Sequence, residues 1–334
     1  MDQCEAVGSL MDSLLNILAD GEYHSGEQLG EQLGISRTAV WKQVQKLVDA
    51  GLQVESQKGC GYRIPGGLDL LNAEALEKQL DSCTFAIRPR LSLHSTITST
   101  NELAREAAAE CNETGLVILA EQQTEGRGRR GRQWVSPLGR NIYLSVVWGF
   151  EGGVQVIEGL SLAVGVAVRR ALVNCGVDAL AFKWPNDLLW ENKKLGGILL
   201  EVLGDPAGFC QVVVGVGLNL NMTTSSGGSI DQPWADISQI SSEPISRNQL
   251  SVSLVKELFD LLVNYQQRGF GAYRDEWKKN DAFDGKGVTL SMLNKSLQGI
   301  ARGVDDRGAL LIEIDGALQS FSGGEISMRG SDDR

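Results

Sequence analysis

Two kinds of side chain that often reveal an enzyme are scarce in this 334-residue chain. Histidine occurs only at His24 and His94, which is too few for a histidine-rich metal site and disfavours a serine–histidine relay. The six cysteines are scattered and form no Cys-x-x-Cys pair, whereas a zinc site or a disulfide framework needs closer spacing. We therefore expect free thiols and no metal held by protein side chains.

The chain also lacks long apolar runs and an excess of positive charge. No stretch approaches the ~20 apolar residues of a membrane helix, and the acidic start does not have the basic-then-apolar layout of a signal peptide. We expect a cytoplasmic protein without membrane contact. Acidic residues number 42 against 31 Lys and Arg, a net charge of −11, so nucleic-acid binding would need a local patch.

The N-terminal segment has helix signals at short intervals. Leu10–Leu18 is amphipathic and predicts a short helix. Ser25 can cap a second helix that stops at Gly34, and Ser36 can cap a third that runs to Ala50. Two short helices around a glycine turn are typical of a helix-turn-helix.

The alternating segments 52–56 and 62–64 then predict a β-hairpin wing, so residues 1–65 are predicted to form a winged helix-turn-helix domain. Residues 1–34 contain seven acids and no Lys or Arg, whereas residues 35–65 contain five Lys or Arg and two acids. The positive charge therefore lies on the third helix and the wing, where DNA phosphates would lie.

The third helix has two different faces. Val40, Val44, Leu47 and Val48 fall on one side of a helical wheel and predict a packing face, while polar residues on the other side could enter a DNA groove. The alternative is a protein–protein module whose polar face is only solvated. The residues expected to contact DNA are Ser36, Arg37, Thr38, Lys42, Gln45, Lys46 and Lys58.

Residues 66–280 are predicted to form a central mixed α/β domain. Short connections between its later strands imply a largely antiparallel sheet, because parallel neighbours need a crossover of about a dozen residues. Helices are predicted over Leu103–Glu110, with Ser99 or Thr100 as the cap, and over Val156–Cys175. Neither a Walker A sequence nor a Rossmann glycine fingerprint occurs, so nucleotide binding would need a different loop.

The run Gly126–Arg132 alternates four arginines with three glycines in seven residues. Arginine binds phosphate or carboxylate with paired hydrogen bonds, and glycine lets backbone amides approach a ligand. We expect no core contacts from so charged a segment, and mobility until an anion orders it. An RNA-binding segment or a solvated loop is the alternative, but the run is single and lies between two apolar strands.

Two further segments suggest a ligand site. In Lys183–Asp187, a rigid Pro185 turn follows an apolar strand that ends in a lysine, and a partly buried lysine usually pairs with an anion. In Lys194–Ile198, two glycines interrupt a strand pattern, which suggests close approach of backbone or ligand.

These motifs resemble the bifunctional biotin–protein ligase/biotin operon repressor family. The resemblance covers nearly the whole chain and rests on the winged helix, on Ser99-Thr100-Asn101, on the three segments above, on residues 215–219 and on residues 323–327. It implies an α+β protein whose residues 281–334 form a small SH3-like β-barrel.

The resemblance implies an ATP-dependent ligase that uses biotin, ATP and Mg²⁺. Biotin's carboxylate attacks the α-phosphate to give biotinyl-5′-AMP and pyrophosphate, and a lysine of the biotin carboxyl carrier protein of acetyl-CoA carboxylase then takes the biotin. It also implies a repressor that dimerises with biotinyl-5′-AMP bound and binds operator DNA. A biotin-sensing regulator without ligase activity and a lipoate ligase remain alternatives.

Site residues follow from the resemblance. Lys183, Arg127 and Arg129 are expected to be catalytic. Biotin is expected to contact Ser99, Thr100, Asn101, Gln123, Arg127, Gly128, Arg129 and Lys183. ATP and the adenylate are expected to contact Arg129, Arg130, Arg132, Lys183, Asn186, Lys194, Asn219 and Trp234.

Overall fold

The computed structural model describes residues 10–110, 114–223, 227–228, 230–292, 295–323 and 326–330. Its N-terminal unit contains α1 (Leu10–Leu18), α2 (Gly26–Leu33), α3 (Arg37–Asp49), β1 (Glu55–Gln57) and β2 (Gly61–Arg63).

The predicted caps of the N-terminal unit are present. Ser25 accepts from the backbone N of Gln28, whose side chain accepts in return from the backbone N of Ser25, so the two form a capping box. Gly34 ends α2 with φ 65°, a left-handed conformation that glycine adopts without strain. The antiparallel hairpin β1–β2 forms the wing, and β1 starts three residues later than predicted.

One expectation for α3 is wrong. Val40, Val44 and Leu47 are buried, but Val48 is 41% exposed and does not belong to the packing face. Val48 lies about 80° from Val40 on the helical wheel, at the edge of the apolar stripe. The helix ends one residue later, at Asp49, so Val48 lies at an exposed edge of its last turn.

The central part contains one seven-stranded sheet with helices packed against it. Its elements are α4 (Ala73–Asp81), β3 (Arg90–Ile97), α5 (Thr100–Glu110), β4 (Leu116–Gln123), β5 (Ile142–Phe150), α6 (Leu160–Asn174), β6 (Ala181–Lys183), β7 (Asp187–Trp190), β8 (Lys193–Gly204), β9 (Cys210–Leu218), α7 (Arg247–Arg268) and α8 (Arg274–Lys279).

The strand order in this sheet is β3-β4-β5-β9-β8-β7-β6. Every neighbouring pair is antiparallel except β3 and β4, which are parallel and are connected through α5. This arrangement confirms the predicted largely antiparallel sheet. Helix α6 is buried along most of its length because it packs under α7, and the apolar faces of both helices join the main core.

The start of α6 differs from the prediction. The predicted helix at Val156 begins only at Leu160, because Gly159 adopts φ 71° and residues 153–157 form a separate 3-10 turn. No helix among the described residues has the length and apolar character needed to cross a membrane.

The C-terminal part is a five-stranded antiparallel sheet of β10 (Gly287–Met292), β11 (Lys295–Val304), β12 (Leu310–Ile314), β13 (Ala317–Phe321) and β14 (Ser327–Gly330). The order is β13-β12-β11-β10-β14, so β13 and β14 are edge strands, and the pairing of the described residues does not close into a barrel. The antiparallel β-domain is therefore confirmed, and the closed ring of the expected SH3-like barrel is not part of its hydrogen bonding.

Candidate active site

A cavity of about 710 Å³ opens where the central sheet, the Gly/Arg run and the C-terminal sheet meet. All fourteen residues expected to contact biotin or ATP line it. They are Ser99, Thr100, Asn101, Gln123, Arg127, Gly128, Arg129, Arg130, Arg132, Lys183, Asn186, Lys194, Asn219 and Trp234. The lining contains seven Lys or Arg side chains and two Asp side chains, so its charge favours an anionic ligand.

One wall of the cavity is a buried polar network at the start of α5. The backbone N and the hydroxyl of Thr100 donate to Gln123 Oε1 at 2.8 and 3.1 Å. Gln123 Nε2 donates to Ser136 Oγ at 3.0 Å, and the Ser145 hydroxyl lies 2.7 Å from Asn101 Oδ1. Because buried polar groups keep fixed directions when they are hydrogen-bonded, this wall is suited to orienting a small polar ligand.

The Gly/Arg run forms a second wall and is partly packed against the protein. Gly126 is buried, and the backbone N of Gly128 donates to the carbonyl of Arg132 at 2.7 Å. Arg129 is half-buried, and its Nη1 donates to Asn186 Oδ1 at 3.1 Å. Burial lowers the pKa of Arg129 from its ordinary value.

Arg127 has a different environment from Arg129. It forms an ion pair with Glu102 on α5, and its Nη1 lies 3.8 Å from Glu201 Oε1 on β8. The first arginine of the run is therefore attached to the protein surface around the cavity, whereas Arg129 points inward.

Lys183 and Asn186 lie at the β6–β7 turn, which meets the run at the Arg129–Asn186 hydrogen bond. Trp184 within this turn is buried, and its Nε1 donates to the carbonyl of Gly308 at 3.1 Å. Asn186 Nδ2 donates to the carbonyl of Ile198 at 2.8 Å. Lys183 is half-buried, with Nζ 5.6 Å from the Phe283 ring centroid. The turn is therefore fixed at both ends, and the lysine has a defined place.

The remaining predicted contacts form the floor of the cavity. Lys194 Nζ pairs with Asp187 Oδ1 at 2.7 Å and lies 5.6 Å from the centroid of the Trp134 ring. Asn219 is buried and donates from Nδ2 to the carbonyl of Ala235 at 3.1 Å. The neighbouring Trp234 pairs with Lys194 in a short parallel β-bridge, so these groups belong to one connected surface.

Several residues that line the cavity were not predicted from the sequence. The Trp134 ring covers Gly217, where a Cβ would come within 2.7 Å of the indole, and Gly215 leaves no room for a Cβ because Asn101 Oδ1 lies 2.1 Å from that position. Arg329 reaches the cavity from β14. The glycine-rich segment 215–219 carried a signal in the sequence, but the contributions of Trp134 and Arg329 arise only from the fold.

The second candidate surface is α3 with the wing. All seven residues expected to contact DNA are exposed, and Lys58 lies in the turn between β1 and β2. Trp41, on the same helix, is 53% exposed, which places it outside the core. Ser36 also caps α3 through the backbone N of Ala39 at 3.2 Å. An exposed basic helix next to a basic hairpin fits the geometry of DNA reading.

Three family models match the chain in sequence order. The HTH domain model matches residues 11–63, the Biotin/lipoate A/B protein ligase family matches residues 93–219, and the Biotin protein ligase C terminal domain matches residues 285–329.

Relatives match over almost the full length. The chain is 41% identical to the Bifunctional ligase/repressor BirA of Salmonella typhimurium over 96% of this chain and 98% of that protein. The Escherichia coli protein of the same name is 40% identical over 96% and 97% of the two chains. The structure of the biotin protein ligase from Aquifex aeolicus in complex with biotin and ATP is similar, with a TM-score of 0.61 at 25% identity over 72% of this chain and 99% of that one. The chain therefore belongs to the family of bifunctional biotin–protein ligases and biotin operon repressors.

Proposed function

We propose that this protein is an ATP-dependent biotin–protein ligase that also represses transcription as a DNA-binding protein. The observation that carries the proposal is the meeting of the Gly/Arg run, Lys183 and Ser99–Asn101 around one cationic cavity. The three family matches and the full-length relatives support the same function.

In the first step, a carboxylate oxygen of biotin forms a bond to the α-phosphorus of ATP while the bond to pyrophosphate breaks. Negative charge spreads over the phosphate oxygens in the transition state, and fixed cations lower the energy of that charge. We assign this role to Lys183 and Arg129, whose positions are held by the β6–β7 turn and by Asn186. Arg127 acts with them by holding the run in place through Glu102.

In the second step, the amine of an acceptor lysine attacks the biotinyl carbonyl and AMP leaves. A free adenylate hydrolyses readily, so the site must keep water away from it. The half-buried Gly/Arg run at the cavity supplies such a cover. Neither step needs a nucleophilic side chain of the enzyme, which agrees with the scarcity of His in the sequence. The acceptor that we propose is the biotin carboxyl carrier protein of acetyl-CoA carboxylase.

The two ends of the adenylate fit two parts of the cavity. Biotin would contact the hydrogen-bonded wall formed by Ser99, Thr100, Asn101 and Gln123, together with the backbone at Gly128. The nucleotide would contact the more cationic side. The residues proposed for that side are Arg129, Arg130, Arg132, Lys183, Asn186, Lys194, Asn219 and Trp234.

Mg²⁺ is part of the proposal and would arrive with ATP. Within the described residues, no group of three or more His, Cys, Asp or Glu side chains could hold a metal ion. Proteins usually bind Mg²⁺ through substrate phosphates and one or two carboxylates, so such a group of side chains is not needed. Asp187 and Asp231 are the carboxylates in the cavity lining, and the ion would neutralise phosphate charge.

The regulatory half of the proposal places operator DNA against α3 and the wing. We propose that biotinyl-5′-AMP promotes a homodimer, because two reading helices would then fit a palindromic operator. We also propose a cytoplasmic location. A division into domains 1–65, 66–280 and 281–334 is proposed because each family match lies within one of these ranges.

Biotin-dependent exchange of labelled pyrophosphate into ATP tests the ligase activity. The purified full chain should catalyse exchange only when biotin is present and should label a biotin carboxyl carrier protein. A protein that binds biotin and DNA but gives no exchange would instead be a sensor without ligase activity. Calorimetry with biotin and lipoate separates the two ligase substrates, and tighter binding of lipoate would contradict the proposal.

A further inference from the structure

Arg247 is a charged residue in the protein interior, outside the cavity. It is the first residue of α7, and its side chain is 1% exposed. Its Nη1 lies 2.6 Å from Oε2 of Glu121, whose side chain is 7% exposed. An unpaired charge in the interior is strongly destabilising, so such a pair persists only with its hydrogen bonds complete. Those bonds lead in two directions, one of them to residues 68–71, which we call the linker.

One side of the pair holds the linker. The guanidinium donates from Nη1 to the carbonyl of Asp69 at 2.8 Å, and the backbone N of the same arginine donates to Asp69 Oδ2 at 2.5 Å. Glu121 Oε1 accepts from the backbone N of Leu71 at 2.5 Å. At the other end of the linker, the backbone N of Leu68 donates to the carbonyl of Ala19, just after α1, at 2.9 Å. The pair thus fixes the segment that connects the winged helix to the central part.

The other side of the guanidinium leads to the cavity. Its Nε and Nη2 donate to the carbonyl of Asn141 at 3.1 and 2.9 Å. Asn141 is fully buried, and its Nδ2 lies 3.5 Å from Oδ1 of Asn219, which lines the cavity. Asn219 in turn donates to the carbonyl of Ala235, beside Trp234, at 3.1 Å. One planar group is therefore hydrogen-bonded directly to the linker and is connected through Asn141 to Asn219 in the floor of the cavity.

We propose that Arg247 is a positioning residue that couples occupancy of the adenylate cavity to the linker behind the winged helix. The inference rests on the proposed function, which supplies the adenylate and the DNA. A planar guanidinium whose three nitrogens all donate hydrogen bonds cannot follow a shift of Asn141 without moving the linker or leaving a buried group unpaired. Because coupling is reciprocal, a winged helix held by DNA would change the affinity for the adenylate by the same factor.

Hydrogen–deuterium exchange of the full chain, with and without biotin plus ATP, tests the coupling. Amides of residues 68–71 should exchange at least about fivefold more slowly with ligand in the unmodified protein. Glu121→Gln preserves the size of the side chain but removes its charge, and should abolish this response. The same variant should form adenylate at a rate within about twofold of normal, because the side chain of Glu121 does not line the cavity.

Glu276→Gln is the matched control. Glu276 pairs with Arg170 at 2.6 Å between α8 and α6, away from the linker, and its loss should leave the response intact. The inference is overturned if the linker of the unmodified protein does not respond, if Glu121→Gln responds normally, or if Glu276→Gln loses the response equally. If circular dichroism shows Glu121→Gln unfolded, Asp69→Asn replaces it, and a full response there also overturns the inference.

The failure of the ligase proposal is separable from the failure of the coupling. If the unmodified protein makes no adenylate, the proposed activity is wrong. Synthetic biotinyl-5′-AMP then replaces biotin plus ATP, and the exchange of the linker amides is judged by the same criteria.

Discussion

Replacing Lys183 with methionine removes the cation assigned to the transition state and leaves an unbranched apolar side chain of similar length. Two unit charges about 4 Å apart interact by roughly 4 kcal/mol at an effective dielectric of about 20. Lys183 is half-buried, so part of this interaction is screened by water. We expect a loss of about 2–4 kcal/mol of transition-state stabilisation, or a fall of about 30- to 900-fold in the rate of adenylate formation.

Single-turnover adenylate formation at saturating biotin and ATP measures this loss apart from binding and product release. Lys193→Met is the matched control, because Lys193 Nζ also lies 5.6 Å from an aromatic centroid, that of Trp190, but does not line the cavity. The control should keep the normal rate. A Lys183→Met rate within about threefold of normal, in a protein with unchanged thermal stability, would refute the assigned role.

Three further substitutions have defined outcomes. Glu102→Gln removes the partner of Arg127 at the cavity edge. Such half-exposed pairs contribute about 0.2–1 kcal/mol, so release of biotinyl-5′-AMP should be about 1.4- to 5-fold faster in stopped flow. An unchanged rate contradicts the attachment of the run. Burial raises the pKa of Asp281 to about 6, so the folded state binds its proton more tightly than the unfolded state, and stability falls as pH rises from about 4 to about 6. Asp281→Asn can still accept from the backbone N of Phe283. In urea unfolding its free energy of unfolding should exceed that of the parent by on the order of 2–3 kcal/mol at pH 7 but by little at pH 4. Equal gains at both pH values would contradict the raised pKa. Lys42→Ala should weaken binding to duplex DNA and reduce the dependence of log affinity on log salt by about one unit, whereas an unchanged slope removes Lys42 from the phosphate contacts.

Local rules made much of the secondary structure predictable. The bounds of α1 and the cap at Ser25 agree with expectation because amphipathic spacing and capping depend on neighbouring residues. The antiparallel order of the central sheet followed from short connections. Val48 was misplaced because a helical wheel gives the direction of a side chain but not the width of the partner that covers it.

The cavity was predictable only in part. Motifs of unusual composition identified the run and Lys183, but the sequence cannot show that Arg127 pairs with Glu102 while Arg129 turns inward. Arg329 joins the site from β14 through long-range packing, which no spacing in the sequence expresses. Contacts of this kind depend on the assembled fold. The sequence therefore predicts the arginines of the run and Lys183 as site residues, but it does not predict which side chains they contact.

The connection between the cavity and the winged helix also affects how DNA binding should be tested. Leu138, six residues after the Gly/Arg run, is 2% exposed and packs in the hydrophobic cluster of the winged helix with Leu14 and Leu47. Deleting residues 1–65 would expose Leu138 to water and loosen the segment that leaves the run, so adenylate retention would change together with operator binding. Substitutions of exposed residues on α3 leave this shared core intact. They therefore separate DNA reading from adenylate binding, which a deletion cannot do.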